Sequence, residues 1–454
     1  MNTSKLMLTA IFSCFMLYTS ASAAIDLVGS YQSALSYNAD YLKAIAQNQA
    51  SQELQTQGKS LLLPQISLSA AMTENYLNSG MTVYYHQPTL TAQLQQVIFD
   101  FGKFSTYTKA TFATELSDLQ LELAKEQLML NVSQAYLDVL YANDSLTAIK
   151  ITKQAMQQEL AQANAAFTAG TVTIADVNDA SSGFDTASAN EIQAQNDLLN
   201  RKTIFYNLTG LNADLIQPLQ NEIILVQPTP DNPESWVAFA RSANTNVKIA
   251  GKQVAMSLED IKIAKSGHSP TINFVGNYQY AGTPSIDSTD SAATTAALNQ
   301  GAGTLGSFLS SYGLATVGLQ VSVPIYSGGG ISSKVRQNMN NYENAMEQLE
   351  AIKRQSSVDI QNALWQVKNG VSLVIAQTQA LKSAKLKLES DKMGYKAGIR
   401  NSINVINSEK SYYSAMQNYN QARYQYLSNK LQLEYLAGKI NEEFLTLLNI
   451  NIAK

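Results

Sequence analysis

Thiols are nearly absent from this sequence. Its 454 residues hold a single cysteine, Cys14, inside an apolar stretch near the start, where Ile11-Phe12-Ser13 does not supply the small-residue approach of a lipidation site. A chain without further cysteine has no disulfide framework and no cysteine metal site, and it needs no redox chemistry in an oxidising compartment. Histidine is almost as scarce: His86 and His268 stand apart with no ligand spacing, which removes a histidine metal centre, and no cofactor is expected. A phosphate-cradling loop is missing too, because Ser327-Gly328-Gly329-Gly330 is not followed by Lys-Ser/Thr and reads as a helix entry turn. Catalysis therefore finds little support. The formal net charge is −4, and Lys and Arg are spread along the chain rather than clustered, so nucleic acid is not an expected partner. Beyond the first residues no run of 18 or more apolar residues occurs. A transmembrane helix is thus excluded, and any membrane span must be a closed barrel of strands.

What is present begins with a leader. Lys5 precedes an apolar stretch from Leu6 to Leu17, and Ala21-Ser22-Ala23 fits a secretory cleavage site, so residues 1–23 read as a signal peptide. The remainder repeats itself once. Leu63-Pro64-Gln65-Ile66-Ser67-Leu68 resembles Ser269-Pro270-Thr271-Ile272-Asn273-Phe274, at an offset of 206 residues. Val97-Ile98-Phe99-Asp100-Phe101-Gly102 resembles Pro324-Ile325-Tyr326-Ser327-Gly328-Gly329, at 227. Phe167-Thr168-Ala169-Gly170 matches Tyr395-Lys396-Ala397-Gly398, and Leu208-Thr209-Gly210 matches Leu436-Ala437-Gly438, both at 228. The growing offset places an insertion in the second repeat, in the Ser, Thr, Ala and Gly-rich stretch 281–311, which reads as a long loop. The repeats are bounded at 24–230 and 231–454.

Each repeat reads helix, strand, strand, long helix, turn, helix. All nine prolines fall between Pro64 and Pro324, and none interrupts 103–217 or 325–454, so long helices fit there. The segment from Phe104 to Ala166 would span roughly 90 to 100 Å. Leu116, Leu123, Leu130 and Leu137 form one heptad stripe, and Leu121, Leu128 and Ala135 a second on nearly the opposite side. Two stripes imply two neighbours. Four other segments alternate with a period of two, around Ile66–Thr73, Leu90–Gln95, Ile272–Tyr280 and Ala315–Val323, with a phase slip at Gln96. One face of each is apolar and the other is uncharged polar. The pattern fits membrane strands and equally fits an amphipathic sheet on a soluble protein. Four strands cannot close a barrel when the smallest have about eight, so a spanning version must share its barrel among subunits.

Leader, tandem repeat, paired strand hairpins, proline-free long helices and the turns Phe99-Asp100-Phe101-Gly102 and Tyr326-Ser327-Gly328-Gly329 together resemble the TolC family of outer-membrane factors. The most specific matches are Tyr395-Lys396-Ala397-Gly398-Ile399-Arg400, Asn404-Val405-Ile406-Asn407 and Ala422-Arg423-Tyr424-Gln425-Tyr426-Leu427. The resemblance implies an α+β membrane protein, a homotrimer whose subunits each give four strands to a 12-stranded β-barrel continuous with a long periplasmic α-helical barrel. It implies a location in the outer membrane, in contact with its lipid. The implied partners are a periplasmic adaptor (membrane fusion) protein and an inner membrane transporter of RND, ABC or MFS type. The implied work is export of drugs, toxins or proteins without chemistry of its own.

At the periplasmic end the resemblance assigns a gate. Asp176 would bond Arg400 or Tyr395 in the closed state, and Glu159 and Lys392 would form a second contact. Local sequence alone reads Asp176 as a helix cap and Arg400 as solvated. Asn404 and Asn407 fall where the family's innermost constriction has two acids, which removes the charge that attracts cations. The tips Ala169, Gly170, Thr171, Ala397, Gly398 and Ile399 fall where the family meets its adaptor; the plain reading of the two glycines is a left-handed turn. The alternative to this whole reading is a secreted or periplasmic helical structural protein.

Overall fold

The computed structural model describes residues 25–78, 82–220, 223–283, 285–286 and 311–453. The leader and most of the 281–311 insertion lie outside the described residues. In order, the first half runs α1 (Leu27–Tyr37), α2 (Ala39–Ser60), β1 (Gln65–Asn78), β2 (Thr82–Phe99), α3 (Phe101–Thr168) and α4 (Ile174–Thr209). The second half runs α5 (Pro233–Ala243), α6 (Thr245–Ser266), β3 (Thr271–Ala281), the two-residue β4 (Ser285–Ile286), β5 (Tyr312–Ser322), α7 (Gly330–Lys396), α8 (Ser402–Leu436) and α9 (Glu442–Ala453).

The helix expected before each strand pair is two helices, and the reason is local. Asn38 accepts from the Tyr41 amide at 3.0 Å, and Asn244, 206 residues on, accepts from the Asn246 amide at 3.0 Å. An asparagine that caps the next helix must leave the helical conformation itself, so the chain turns there. The long helices begin in two ways. Asp100 caps α3 by accepting from the Lys103 amide at 3.1 Å, whereas α7 is entered through Gly328 and Gly329 at φ +59° and +79°, a left-handed turn that suits glycine. With 68 residues, α3 is about 100 Å long at 1.5 Å per residue.

The strands form one antiparallel sheet in the order β1-β2-β3-β5, with β4 paired to β2. Register decides which side chains share a face. Ile66, Leu94, Gly276 and Val317 lie in one row, and Leu68, Ala92, Tyr278 and Ala315 in the next row of that face. On the other face Ser67, Gln93, Asn277 and Thr316 line up, followed by Ser69, Thr91, Gln279 and Leu314. A bulge between Val97 and Phe99 accounts for the phase slip at Gln96.

Of the two α3 stripes, Leu128, Leu130, Ala135 and Leu137 are buried within the subunit and Leu116, Leu121 and Leu123 are half-buried, and α3 packs on α2, α4, α6 and α8. The core is a belt across the middle of the long helices. Leu128 to Leu146 of α3, Leu198 and Phe205 of α4, Ile360 to Val374 of α7 and Tyr424 to Leu433 of α8 meet there, with Leu27 and Tyr31 of α1, Trp236 of α5 and Leu445 of α9 packed in from outside. The sheet stands at one end of the long helices, and the turns 169–173 and 397–401 at the other.

Candidate functional site

The two turns are built alike. In the first, the Ala169 amide donates to the Ala165 carbonyl at 3.1 Å, Gly170 to Phe167 at 2.9 Å and Thr171 to Ala166 at 2.9 Å. In the second, Ala397 donates to Met393 at 3.1 Å, Gly398 to Tyr395 at 3.0 Å and Ile399 to Gly394 at 2.9 Å. Every partner is displaced by 228 residues. Both glycines have φ +73°, the left-handed cap that ends a helix and satisfies its last carbonyls. Ile399 is 81% exposed, an apolar side chain left in solvent at the extremity of the subunit.

The charges around the turns differ. Thr173 and Asp176 make a reciprocal capping box at the start of α4: the Asp176 carboxylate accepts from the Thr173 amide and hydroxyl at 2.8 Å each, and the Asp176 amide donates back at 3.4 Å. Those bonds hold the Asp176 carboxyl below the usual carboxylate range. Within one subunit Asp176 is thus a helix cap, and its Thr173 bonds leave the carboxylate exposed.

Arg400 and Lys392 have their own partners. Arg400 Nε lies 3.4 Å from Asp391 Oδ1, and Lys392 Nζ lies 2.7 Å from Glu409 Oε1. Asp391 also accepts from the Ser408 hydroxyl. Asp391, Ser408 and Glu409 are buried, which is unusual for two carboxylates near an exposed turn. The Glu159 carboxyl on α3 is pushed above its ordinary range by burial, then by the negative charge of Glu409, against the pull of Lys392. The structure therefore brings Glu159 and Lys392 into one neighbourhood with Glu409, while Lys392 makes its ion pair to Glu409. Tyr395 is half-buried at the end of α7.

Asp391, Ser408 and Glu409 escape a reading of local sequence. A signal existed in the repeat: at an offset of 228 their counterparts are Ala163, Ala180 and Ser181, so the second repeat places charge where the first has small neutral residues. Asn404 and Asn407 occupy the side of α8 away from buried Val405, Ile406, Ser408 and Glu409. Asn404 donates to the side chain of Asn401, the α8 cap, and the Asn407 carbonyl accepts from the Ser411 hydroxyl at 2.8 Å.

Further from the turns, the run 422–427 ties the belt together. Tyr424 donates to Asp144 of α3 at 2.7 Å, and Tyr426 donates to the Val226 carbonyl at 3.0 Å and accepts from its amide at 2.9 Å. Buried Arg423 reaches the Gln220 carbonyl and sits 5.2 Å from the Tyr419 ring. Among the described residues no group of three or more His, Cys, Asp and Glu could hold a metal.

At the other end, Ile66, Leu68, Met72, Val317, Leu319 and Val321 are 60–78% exposed on one face of the sheet. No described helix is long and apolar enough to cross a membrane. An 11-residue strand spans about 36 Å, and tilted by about 40° it covers the height of an outer-membrane apolar band.

A four-stranded sheet with an apolar outer face, carried on helical hairpins of about 100 Å, defines the class of outer-membrane channel proteins whose barrel continues into a helical tube. The family described as "Outer membrane efflux protein" matches residues 30–211 and 236–439, and the chain belongs to that family of outer membrane proteins. It is 31% identical to outer membrane protein TolC of Escherichia coli over 439 residues, covering 96% of this chain and 87% of that one. It is 24% identical to the proteases secretion protein PrtF of Dickeya chrysanthemi over 437 residues, covering 93% and 90%. Among solved structures, the outer membrane protein VceC of Vibrio cholerae aligns with a TM-score of 0.76 at 16% identity, over 91% of this chain and 96% of that one, a likeness of fold.

Proposed function

We propose that this chain, after removal of residues 1–23, is the subunit of an exit duct: a homotrimer with a shared 12-stranded barrel in outer-membrane lipid and a helical tube in the periplasm, built from repeats 24–230 and 231–454. The observation that carries it is the sheet, whose apolar face is unpaired in the subunit while its other face is neutral and mostly polar, as suits the wall of a water-filled barrel. Four such strands close only with copies of themselves. The chain performs no catalysis and needs no cofactor; cargo is delivered by a periplasmic adaptor and an inner membrane transporter of RND, ABC or MFS type. The adaptor meets Ala169, Gly170, Thr171, Ala397, Gly398 and Ile399. In the closed state Asp176 of one hairpin bonds Arg400 or Tyr395 across a subunit boundary, Glu159 and Lys392 add a second contact, and release of these bonds opens the end. Rings of Asn404 and Asn407 give an uncharged constriction with weak cation selectivity.

The test is intracellular accumulation of a fluorescent pump substrate in cells with and without the chain. Higher accumulation without it is expected. Unchanged accumulation, together with loss of an exported protein from the medium, would move the function to dedicated protein secretion, as the similarity to PrtF also suggests.

A further inference from the structure

Arg400 is held more firmly than an exposed arginine at a turn requires. Its amide donates to the Gly394 carbonyl at 3.2 Å. Its stem lies across Gly394 so closely that a Cβ on that glycine would stand 2.7 Å from Arg400 Cγ. Its Nε faces Asp391, a carboxylate 9% exposed against 54% for the arginine, and Asp391 is itself fixed by the buried hydroxyl of Ser408 on α8. The backbone and the stem are constrained by Gly394, and the head group by Asp391. A guanidinium carries five N–H donors in a planar fork, and the Asp391 contact involves Nε alone. No other ion pair of Arg400 occurs among the described residues, so the two terminal nitrogens are available to a further acceptor.

The first repeat has none of this. At an offset of 228, Asp391, Gly394, Arg400 and Ser408 correspond to Ala163, Ala166, Val172 and Ala180. The turns share one backbone, and only the second carries the brace.

We infer that Asp391, supported by Ser408 and Gly394, is a positioning residue of the periplasmic gate: it presets the Arg400 guanidinium so that its terminal N–H groups meet an acceptor on the neighbouring subunit without first being ordered. The inference rests on the gate reading above and goes beyond it in naming what makes Arg400 a fixed donor. A side chain ordered in advance gives up little freedom on closing, and a fork drawn to Asp391 through Nε keeps its terminal N–H groups for another acceptor.

The test is single-channel recording of the purified trimer in planar bilayers, for Asp391→Asn, Gly394→Ala and Arg400→Ala, and for Asp391→Asn and Gly394→Ala each combined with Arg400→Ala. Arg400→Ala is expected to raise open probability about two- to five-fold, the scale of a half-exposed ion pair. Asp391→Asn and Gly394→Ala should each reproduce part of that rise, and neither should add to it once Arg400 is gone, because each acts only through the arginine. Gly394→Ala keeps every charge and improves helix propensity, so it carries the test if Asp391→Asn fails to assemble. A rise that persists undiminished in the Arg400→Ala background would overturn the inference, since the brace would then support the hairpin as such. So would two silent variants beside an active Arg400→Ala. A silent Arg400→Ala overturns the gate reading itself, and the inference with it.

Discussion

Two carboxylates at the periplasmic end, buried Asp391 and half-buried Glu159, have opposite relations to their neighbours. Asp391 has a hydroxyl and a guanidinium, whereas Glu159 has the like charge of Glu409 nearby and a lysine that is committed elsewhere. The raised proton affinity of Glu159 in the folded state fixes the sign of its pH dependence. Between the ordinary carboxylate range and the raised folded value, the folded chain binds more protons than the unfolded one, so this group's contribution to stability rises as pH falls and is lost as pH rises through the folded value. Glu159→Gln should therefore melt at the same temperature as the parent or higher at neutral pH, and that gain should shrink on acidification as the native carboxyl takes up its proton. A gain that grows on acidification would contradict the assignment. In the belt the expected effect has the other sign. Tyr424→Phe removes the hydroxyl that satisfies Asp144, a carboxyl already pushed up by burial and held down chiefly by that bond. A loss of about 1 to 3 kcal/mol is expected from the half-satisfied acid, read as an earlier unfolding midpoint in denaturant.

At the scale of elements, the helical hairpins were legible in the sequence because proline and glycine mark their limits and heptad leucines mark their seams. The interval free of proline from 103 to 217 contains all of α4 and all but the first two residues of α3, and Gly170 and Gly398 fall at the turns. The strands were legible from alternation, though alternation did not say which strands pair; the register supplies that. The split of each leading helix at Asn38 and Asn244 was missed because an asparagine inside an apolar pattern signals a cap only once its amide partner is known. The Asp391–Arg400 brace was missed for a related reason: residues nine apart join only after the chain has turned through Gly398. The turn glycines also differ in what a side chain would meet. At Gly398 nothing lies within 4 Å, so Gly398→Ala suffers only the left-handed backbone, about 1 to 2 kcal/mol. At Gly438, φ +65°, a Cβ would stand 2.6 Å from the Ala243 carbonyl oxygen, so Gly438→Ala adds a backbone clash to the same strain and should lower the trimer's melting temperature more than Gly398→Ala does. Equal losses would mean that the α5–α8 junction yields freely.

For the whole molecule, the sheet can belong to a barrel only if its two faces answer to different solvents. On the polar face Ser67, Ser69, Thr91, Gln93, Asn277, Gln279, Thr316 and Gln320 carry hydrogen-bonding groups and no charge, interspersed with the uncharged Ala71, Val275 and Leu314. The opposite face carries Ile66, Leu68, Leu94, Val317, Leu319 and Val321, and leaving that much apolar surface in water would cost about 25 cal/mol for each Å² that the membrane would otherwise cover. Adjacent residues of β5 separate the two environments. Val317 is the sixth of its 11 residues, near mid-membrane, and Thr316 is its neighbour on the other face. Val317→Lys should cost about 2 to 4 kcal/mol per subunit through burial of an ammonium in lipid, three times over in a trimer, and should abolish the heat-resistant trimer band extracted from outer membranes. Thr316→Lys places the same charge in the water of the lumen, where it should leave the trimer intact and shift the channel's ion preference toward anions. If both variants assembled equally well, the exposed face would not be in lipid, and the chain would be a soluble helical structure capped by its sheet.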